Sequence, residues 1–269
     1  WSSGLFVPAD EWSHVALVVK PDGITVYLNG ESATHTFSPE AVDFRNTALF
    51  LGSYRGWVQR GFKGLMDEVR IYDRALSTAE VRLIRHLTAR PETEQGLVGY
   101  YQFNEVEGSI LNKAGVNHAF LTGAAARTLS QAPVGGGQSA RQTVQNAGSY
   151  AFGETGVSLS LNADQPMASV VVATRLNVPP SIAAGPMVQP DTGYWILNTY
   201  GNLPTAEPET TLQLSGFELH PNAPGQPEAF ELARRDANAG DTQWMTAGAA
   251  LDVLPDSEEV AFAWEDALN

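Results

Sequence analysis

Residues 61–77 read G-F-K-G-L-M-D-E-V-R-I-Y-D-R-A-L-S, a glycine-bounded segment that predicts a strand followed by a helix. From residue 62 onward the side chains alternate about a pleat. One face would carry Asp67, Val69 and Ile71, and the other Met66, Glu68, Arg70 and Tyr72. Ser77 precedes Glu80 by three residues, which is the spacing of a capping box. A short helix is therefore predicted over residues 78–87.

The residues before this segment predict further strands. Residues 12–19 form an aromatic and β-branched run, and residues 21–23, Pro-Asp-Gly, predict a turn. Residues 24–30 then form a second alternating run that ends on Asn-Gly, a strong hairpin signal. Residues 48–52, A-L-F-L-G, predict another short strand. We therefore expect antiparallel strands on both sides of the first turn.

In chain order, the motifs W-x-H-V-A-L, Y-L-N-G, L-F-L-G and G-x-M-D-E-V-R-I-Y resemble the second half of a laminin-G-like domain. That resemblance implies a concanavalin A-like jelly roll and a binding module instead of a catalyst. It assigns residues 1–90 to the C-terminal part of such a domain. Since this stretch holds too few strands for a whole sandwich, we expect the chain to begin inside a domain and to belong to a longer protein.

A second signature follows a polar linker. Residues 96–105, G-L-V-G-Y-Y-Q-F-N-E, predict a strand that resembles the opening of a laminin-G-like repeat. The rest of that repeat does not follow, so residues 91–137 are interpreted as a strand and a linker. Two arrangements are open for the strand from Gly96: it packs onto the first sandwich, or it stands as a remnant.

Residues 138–269 predict a second β-sandwich, because short, mostly alternating segments are separated by proline, glycine and asparagine. The predicted strands lie at 157–161, 169–173, 194–197, 211–214, 229–235 and 260–264. The motifs F-G-E-T-G-V, Y-W-I-L-N-T-Y-G and F-E-L-A-R-R-D resemble a module found near the end of large surface proteins of the Bacteroidetes type. The predicted fold class is thus all-β: a partial jelly roll, a second sandwich and one short helix.

Charge restricts the partners. Residues 1–134 carry 12 Lys and Arg against 14 Asp and Glu, whereas residues 135–269 carry 4 against 16. The second half would repel phosphate backbones and anionic lipid surfaces, so nucleic acid is excluded as an expected partner. No run of 18 apolar residues occurs, which argues against membrane insertion. The chain has no cysteine and therefore no disulfide or thiolate metal site.

Sequence motifs give no catalytic centre, so the protein is not expected to be an enzyme. Glu105 and Glu107, and Asp67 and Glu68, are the close acidic pairs near apolar strands, and neither matches the E-x-D-x-x-E pattern of glucanases on this fold. No H-x-x-x-H or G-x-S-x-G motif occurs.

A calcium site is implied by the resemblance, since laminin-G-like domains often hold one Ca²⁺ at the rim of the sandwich. Asp67 of the M-D-E motif is the first predicted ligand and Glu68 the second. Asn104 and Glu105 would contribute oxygen ligands if the strand from Gly96 returns to the same sandwich. The alternative is that Asp67 caps a turn or pairs with Arg70 or Arg74.

Exposed aromatic residues are the other predicted recognition feature. Tyr54 and Trp57 lie between two predicted strands and are the predicted ligand-binding residues, because sugar rings stack on aromatic faces. Trp195, Trp244 and Trp264 are instead expected to pack in cores.

Together these features predict a non-catalytic, secreted or cell-surface protein that acts in adhesion or recognition. Its partners would be glycans or extracellular proteins, besides the other domains of the same longer chain. Two alternatives are an accessory module of a secreted hydrolase and a structural subunit of an extracellular appendage.

Overall fold

A computed structural model describes residues 1–37, 48–54, 56–180, 193–202, 210–216, 225–235 and 244–263. Within these ranges the chain forms antiparallel β-sheets and one α-helix, so the all-β prediction is confirmed. The strands are β1 Val15–Lys20, β2 Gly23–Leu28, β3 Glu31–Thr36, β4 Val69–Tyr72, β5 Leu97–Tyr101, β6 Gly137–Val144, β7 Gly148–Ala151, β8 Val157–Leu161, β9 Ser169–Leu176, β10 Tyr194–Gly201, β11 Thr211–Leu214, β12 Glu231–Arg234, β13 Met245–Ala249, β14 Asp252–Leu254 and β15 Glu259–Ala263. The helix, α1, spans Thr78–Ile84.

Strands β1, β2 and β3 form an antiparallel sheet in sequence order. The β2–β3 hairpin turns at Asn29 and Gly30, whose φ angles of 51° and 85° are those of a type I′ turn. Val15 lies opposite Leu28 and Lys20 opposite Gly23, so the turn at 21–22 is as short as the sequence predicted. Strand β3 was not predicted, because its sequence, E-S-A-T-H-T, is polar.

The two faces of this sheet differ. One face packs on α1 through a small core of Val18, Tyr27, Leu76 and Val81. The other carries large aliphatic side chains that remain exposed, and Leu17 at its centre is 61% exposed. This is the side that a second sheet would cover in a sandwich.

In the first unit, which comprises β1 to β5 and α1, one predicted strand is not formed and another is shorter than predicted. Residues 48–52 are irregular, and the strand predicted from residue 62 begins only at Val69. Glu68 has a φ of 54°, which breaks the pleat immediately before β4. Leu49 and Leu65 in these segments are 64% and 53% exposed, so neither has the packed neighbours that hold a strand in place.

Strand β5 pairs antiparallel with β4, with Val69 opposite Tyr101. The strand from Gly96 therefore returns to the first unit, which selects one of the two arrangements that the sequence left open. Helix α1 begins with the predicted capping box, since Ser77 Oγ accepts from Glu80 N at 3.2 Å and Glu80 Oε2 accepts from Ser77 N at 2.8 Å. It ends three residues before the predicted boundary.

The second unit, which comprises β6 to β15, contains two sheets that pack face to face. A three-stranded sheet, β10-β9-β6, faces a five-stranded sheet, β14-β15-β11-β8-β7, and a short β12–β13 hairpin lies beside them. The core between them contains Val144, Phe152, Leu159, Val171, Leu212, Val260 and Phe262. Trp195 packs against this core and donates from Nε1 to Thr155 O at 2.8 Å, as expected of a core tryptophan. Trp264 lies outside the described residues.

The two units meet at α1 and the residues after it. Arg82 Nε donates to Gly30 O at 3.0 Å, and its guanidinium carbon lies 3.9 Å from the centre of the Tyr200 ring in β10. The buried His86 contacts Pro133 O at 2.9 Å and Asn198 Oδ1 at 3.1 Å. These contacts join the β2–β3 turn and α1 to the second sandwich.

Candidate binding site

A narrow hairpin between residues 52 and 62 carries the two aromatic residues predicted to bind ligand. Phe62 N donates to Gly52 O at 2.7 Å, and Tyr54 N donates to Arg60 O at 3.1 Å. Trp57 N then donates to Tyr54 O at 3.0 Å, which closes a turn that leads into a 3-10 segment, Val58–Arg60. These hydrogen bonds join the described residues on the two sides of the hairpin, 52–54 and 57–62.

Tyr54, Trp57 and Arg60 form a cluster at the end of this hairpin, called here the aromatic tip. The Tyr54 and Trp57 rings meet edge to face, with centroids 6.2 Å apart. Tyr54 is 50% exposed and Trp57 54% exposed. The Arg60 guanidinium carbon lies 5.1 Å from the Tyr54 centroid and 5.4 Å from the Trp57 centroid, within cation–π range of both.

Arg60 was missed by the sequence reasoning. The antiparallel bridge between Ser53 and Gly61 places residues 54 and 60 next to each other across the hairpin. Because that bridge depends on the fold of the turn, sequence spacing gave no signal for it. The cation restrains both rings while leaving about half of each side chain in contact with solvent. Such an arrangement can stack flat or partly apolar groups such as sugar rings.

The four predicted calcium ligands are differently placed. Asp67 Oδ1 accepts from the backbone N of the next residue, Glu68, at 2.8 Å, just before β4. The alternative interpretation considered Arg70 or Arg74 as a partner of Asp67, whereas Arg70 pairs with Glu68 at 3.3 Å. Arg74 pairs with Glu80 at 2.6 Å.

The Glu68 carboxylate is nearly buried and surrounded by hydrogen-bond donors. Tyr100 Oη donates to Glu68 Oε2 at 2.6 Å, and Gln102 Nε2 donates to Glu68 Oε1 at 3.2 Å. Desolvation and the bond to Glu68 raise the pKa of Tyr100, so its hydroxyl keeps its proton at physiological pH. Glu68 is therefore engaged in a structural network that links β4 to β5.

Asn104 and Glu105 follow β5. Asn104 is exposed, and Glu105 pairs with Lys113 at 3.3 Å. Among the residues that the structure describes, no group of three or more His, Cys, Asp or Glu side chains is arranged to hold a metal ion. Asp67, Glu68 and Glu105 thus form no such group, and the Ca²⁺ site stays a prediction.

An open polar cleft of about 650 Å³ lies beside this network. Glu92, Tyr100, Gln102 and Lys113 contribute to its walls. Tyr100 Oη accepts from Ala89 N at 3.1 Å and from Gln102 Nε2 at 2.7 Å, which fixes the linker against β5. Sequence reasoning did not identify this cleft, because Tyr100 and Gln102 read as ordinary strand residues.

One comparison with known proteins gave a match, and it covers the first 82 residues. Residues 1–82 match the family model of the concanavalin A-like lectin/glucanases superfamily. That match supports the jelly-roll assignment of the first unit and the general class of a carbohydrate- or protein-binding module. No curated protein and no solved structure matches the chain. Among the described residues, no helix has the length and apolar character needed to cross a membrane.

Proposed function

We propose that this chain is a non-catalytic recognition module that acts outside the cell or on its surface and binds glycans through the aromatic tip. The observation that carries the proposal is the pair of half-exposed rings, Tyr54 and Trp57, held in place by Arg60 on a hydrogen-bonded hairpin. The match of the first unit to a superfamily that includes lectins supports the same class of function.

The aromatic tip suits sugar recognition for a physical reason. Exposed aromatic rings on a rigid loop lose little conformational entropy when a ligand binds, because only two χ angles define each ring. Sugar rings present C–H groups on one face, which pack on the face of a tryptophan or tyrosine. Loops held by a β-scaffold are also where binding residues concentrate.

The proposal that the chain is non-catalytic rests on the contacts that the carboxylates of the two acidic pairs make. A glycosidase needs two free carboxyl groups facing one bond, one of them able to donate a proton. Glu105 is paired with Lys113, and Glu107, two residues later, is exposed. Glu68 is held by Tyr100 and Arg70. These contacts favour structural roles for Glu105 and Glu68, one member of each pair.

Calcium belongs to the proposal as an accessory ion. Asp67 and Asn104 would supply oxygen ligands together with loop carbonyls, as a hard cation requires. A bound ion would order the residues after β5 and leave the aromatic tip unchanged. Chelation is therefore expected to affect stability more than sugar binding.

A glycan array tests the proposal directly. The chain is applied with and without chelator, next to Trp57→Ala and Tyr54→Ala. Phe120→Ala is the matched control, because Phe120 is an aromatic residue that is 72% exposed and lies outside the tip. Loss of binding in both tip variants, with binding retained in the control, supports the tip as the site. If the tip variants bind as the unmodified chain does, the tip is not the site.

A further inference from the structure

The aromatic tip lies in a basic part of an acidic protein. The chain has a formal net charge of −14, yet residues 48–66 contain Arg55, Arg60 and Lys63 and no aspartate or glutamate. A cationic segment in such a chain raises the local concentration of anionic groups near the tip. The charge therefore bears on which saccharide the tip selects.

Arg60 is the residue through which this charge would act. Its guanidinium lies over both rings, and in the described part of the chain it has no hydrogen bond or ion pair with an acceptor. Two other arginines that stack on rings have acidic partners: Arg70 pairs with Glu68, and Arg74 pairs with Glu80. The donors of Arg60 remain available to a ligand.

We propose that the aromatic tip selects an acidic saccharide, one with a carboxylate or sulfate on or next to the sugar that stacks on Trp57. This inference rests on the proposed function and specifies its ligand. The planar guanidinium carries N–H donors in a fork that fits two oxygens of a carboxylate or sulfate. The rings beside it would contact the apolar face of the same sugar, so charge and stacking act on one residue of the ligand.

Ligand length follows from the distribution of charge. Residues 135–269 carry 4 basic against 16 acidic residues, so a long polyanion that passed along the second unit would be repelled. A short oligosaccharide, or a chain end with a single acidic sugar, avoids that repulsion. The expected ligand is thus a sparsely charged acidic glycan.

The test compares three oligosaccharides with the same backbone: a neutral form, a uronic acid form and a sulfated form. Binding is measured by calorimetry at low and at moderate salt. The unmodified chain should bind an acidic form about fivefold more tightly than the neutral form, which is the size expected for one exposed charge pair. Whichever acidic oligosaccharide binds more tightly identifies the recognised group as carboxylate or sulfate. Added salt should reduce the difference in affinity between the acidic and neutral forms.

Arg60→Gln should bring the acidic and neutral forms to equal affinity, while Lys63→Gln, which removes the same charge away from the rings, should keep most of the preference. Arg60→Lys keeps the charge without the fork and should give an intermediate preference. Circular dichroism checks that each variant is folded.

Three results would overturn the inference. Equal binding of neutral and acidic forms by the unmodified chain removes the acidic selectivity and leaves the proposed glycan site standing. Tighter binding of a single-stranded oligonucleotide than of either acidic form, at the same salt, assigns the tip to another class of ligand. No binding of any saccharide refutes the proposed function itself.

Discussion

Replacing Tyr100 with phenylalanine should destabilise the first unit more than the loss of one hydroxyl usually does. Tyr100 is 1% exposed, and its Oη donates to Glu68 at 2.6 Å while accepting from Gln102 Nε2 at 2.7 Å and from Ala89 N at 3.1 Å. Tyr100→Phe keeps the ring and removes all three bonds at once. It leaves a nearly buried carboxylate and a backbone N–H without this partner.

The magnitude follows from those bonds. A hydrogen bond to a charged acceptor contributes about 1.5–3 kcal/mol, and an unsatisfied buried donor costs about 1 kcal/mol or more. Because Glu68 keeps its contacts with Arg70 and Gln102, part of the loss is recovered. We expect the free energy of unfolding to fall by about 2–4 kcal/mol.

The neighbouring residue provides the control. Tyr101 is also buried, and its Oη donates to one neutral acceptor, Asn117 O, at 2.8 Å. Tyr101→Phe should cost about 1 kcal/mol. Urea denaturation followed by circular dichroism measures both variants, with unchanged m values as the check that midpoints can be compared. If Tyr100→Phe costs no more than Tyr101→Phe, the hydrogen-bond network around Glu68 adds no stability to the β4–β5 pair.

Three further predictions concern the junction, the open sheet face and pH. Gly30→Ala should lower the melting temperature more than Gly4→Ala does. Both residues have positive φ, but a Cβ at Gly30 would overlap the Tyr200 hydroxyl, whereas Gly4 has no neighbour within 4 Å. Equal shifts in melting temperature would show that the Tyr200 contact does not hold the units together. Leu17→Thr should change the free energy of unfolding by less than about 0.5 kcal/mol, since Leu17 is 61% exposed. The same substitution should reduce binding of a hydrophobic dye to this sheet face. A loss of unfolding free energy above about 1.5 kcal/mol would mean that the face is covered in solution. Desolvation and the nearby Arg85 guanidinium lower the pKa of His86 to about 3, so between pH 6.5 and 3 the unfolded chain takes up a proton that the folded chain does not. Stability from this group is complete above pH 6.5 and falls by up to about 1.4 kcal/mol per pH unit below it. His86→Gln should flatten the plot of unfolding free energy against pH, and an unchanged slope would exclude His86 as its source.

Features that depend on neighbouring residues could be predicted from the sequence. The capping box of α1 is formed within four residues, and the turn at 21–22 is formed by Pro-Asp-Gly. Strands β8 and β11 match their predicted bounds because their alternation is regular and both lie inside a packed sandwich. Polar strands such as β6, G-Q-S-A-R-Q-T-V, were missed because composition gives them no signal.

The residues of the candidate site also differ in whether the sequence alone could identify them. Tyr54 and Trp57 could be identified because exposed aromatic residues between predicted strands suggest recognition. Arg60, the cleft beside Tyr100 and the contact of Arg82 with Tyr200 required the fold. Each depends on a turn, a strand pairing or a packing contact whose partner is set by the folded chain.

Local hydrogen bonds and apolar periodicity depend only on short runs of residues. The sequence was therefore enough to predict an all-β chain, its capped helix and the two aromatic residues of the tip. Contacts between distant residues determined which strand pairs with β4 and at which residue β4 begins. They also determined how the two units join. Pairing of a strand is a property of two segments and of what covers them. Alternation in one segment therefore indicates that a strand is favoured, while the folded protein determines whether it forms and next to which neighbour.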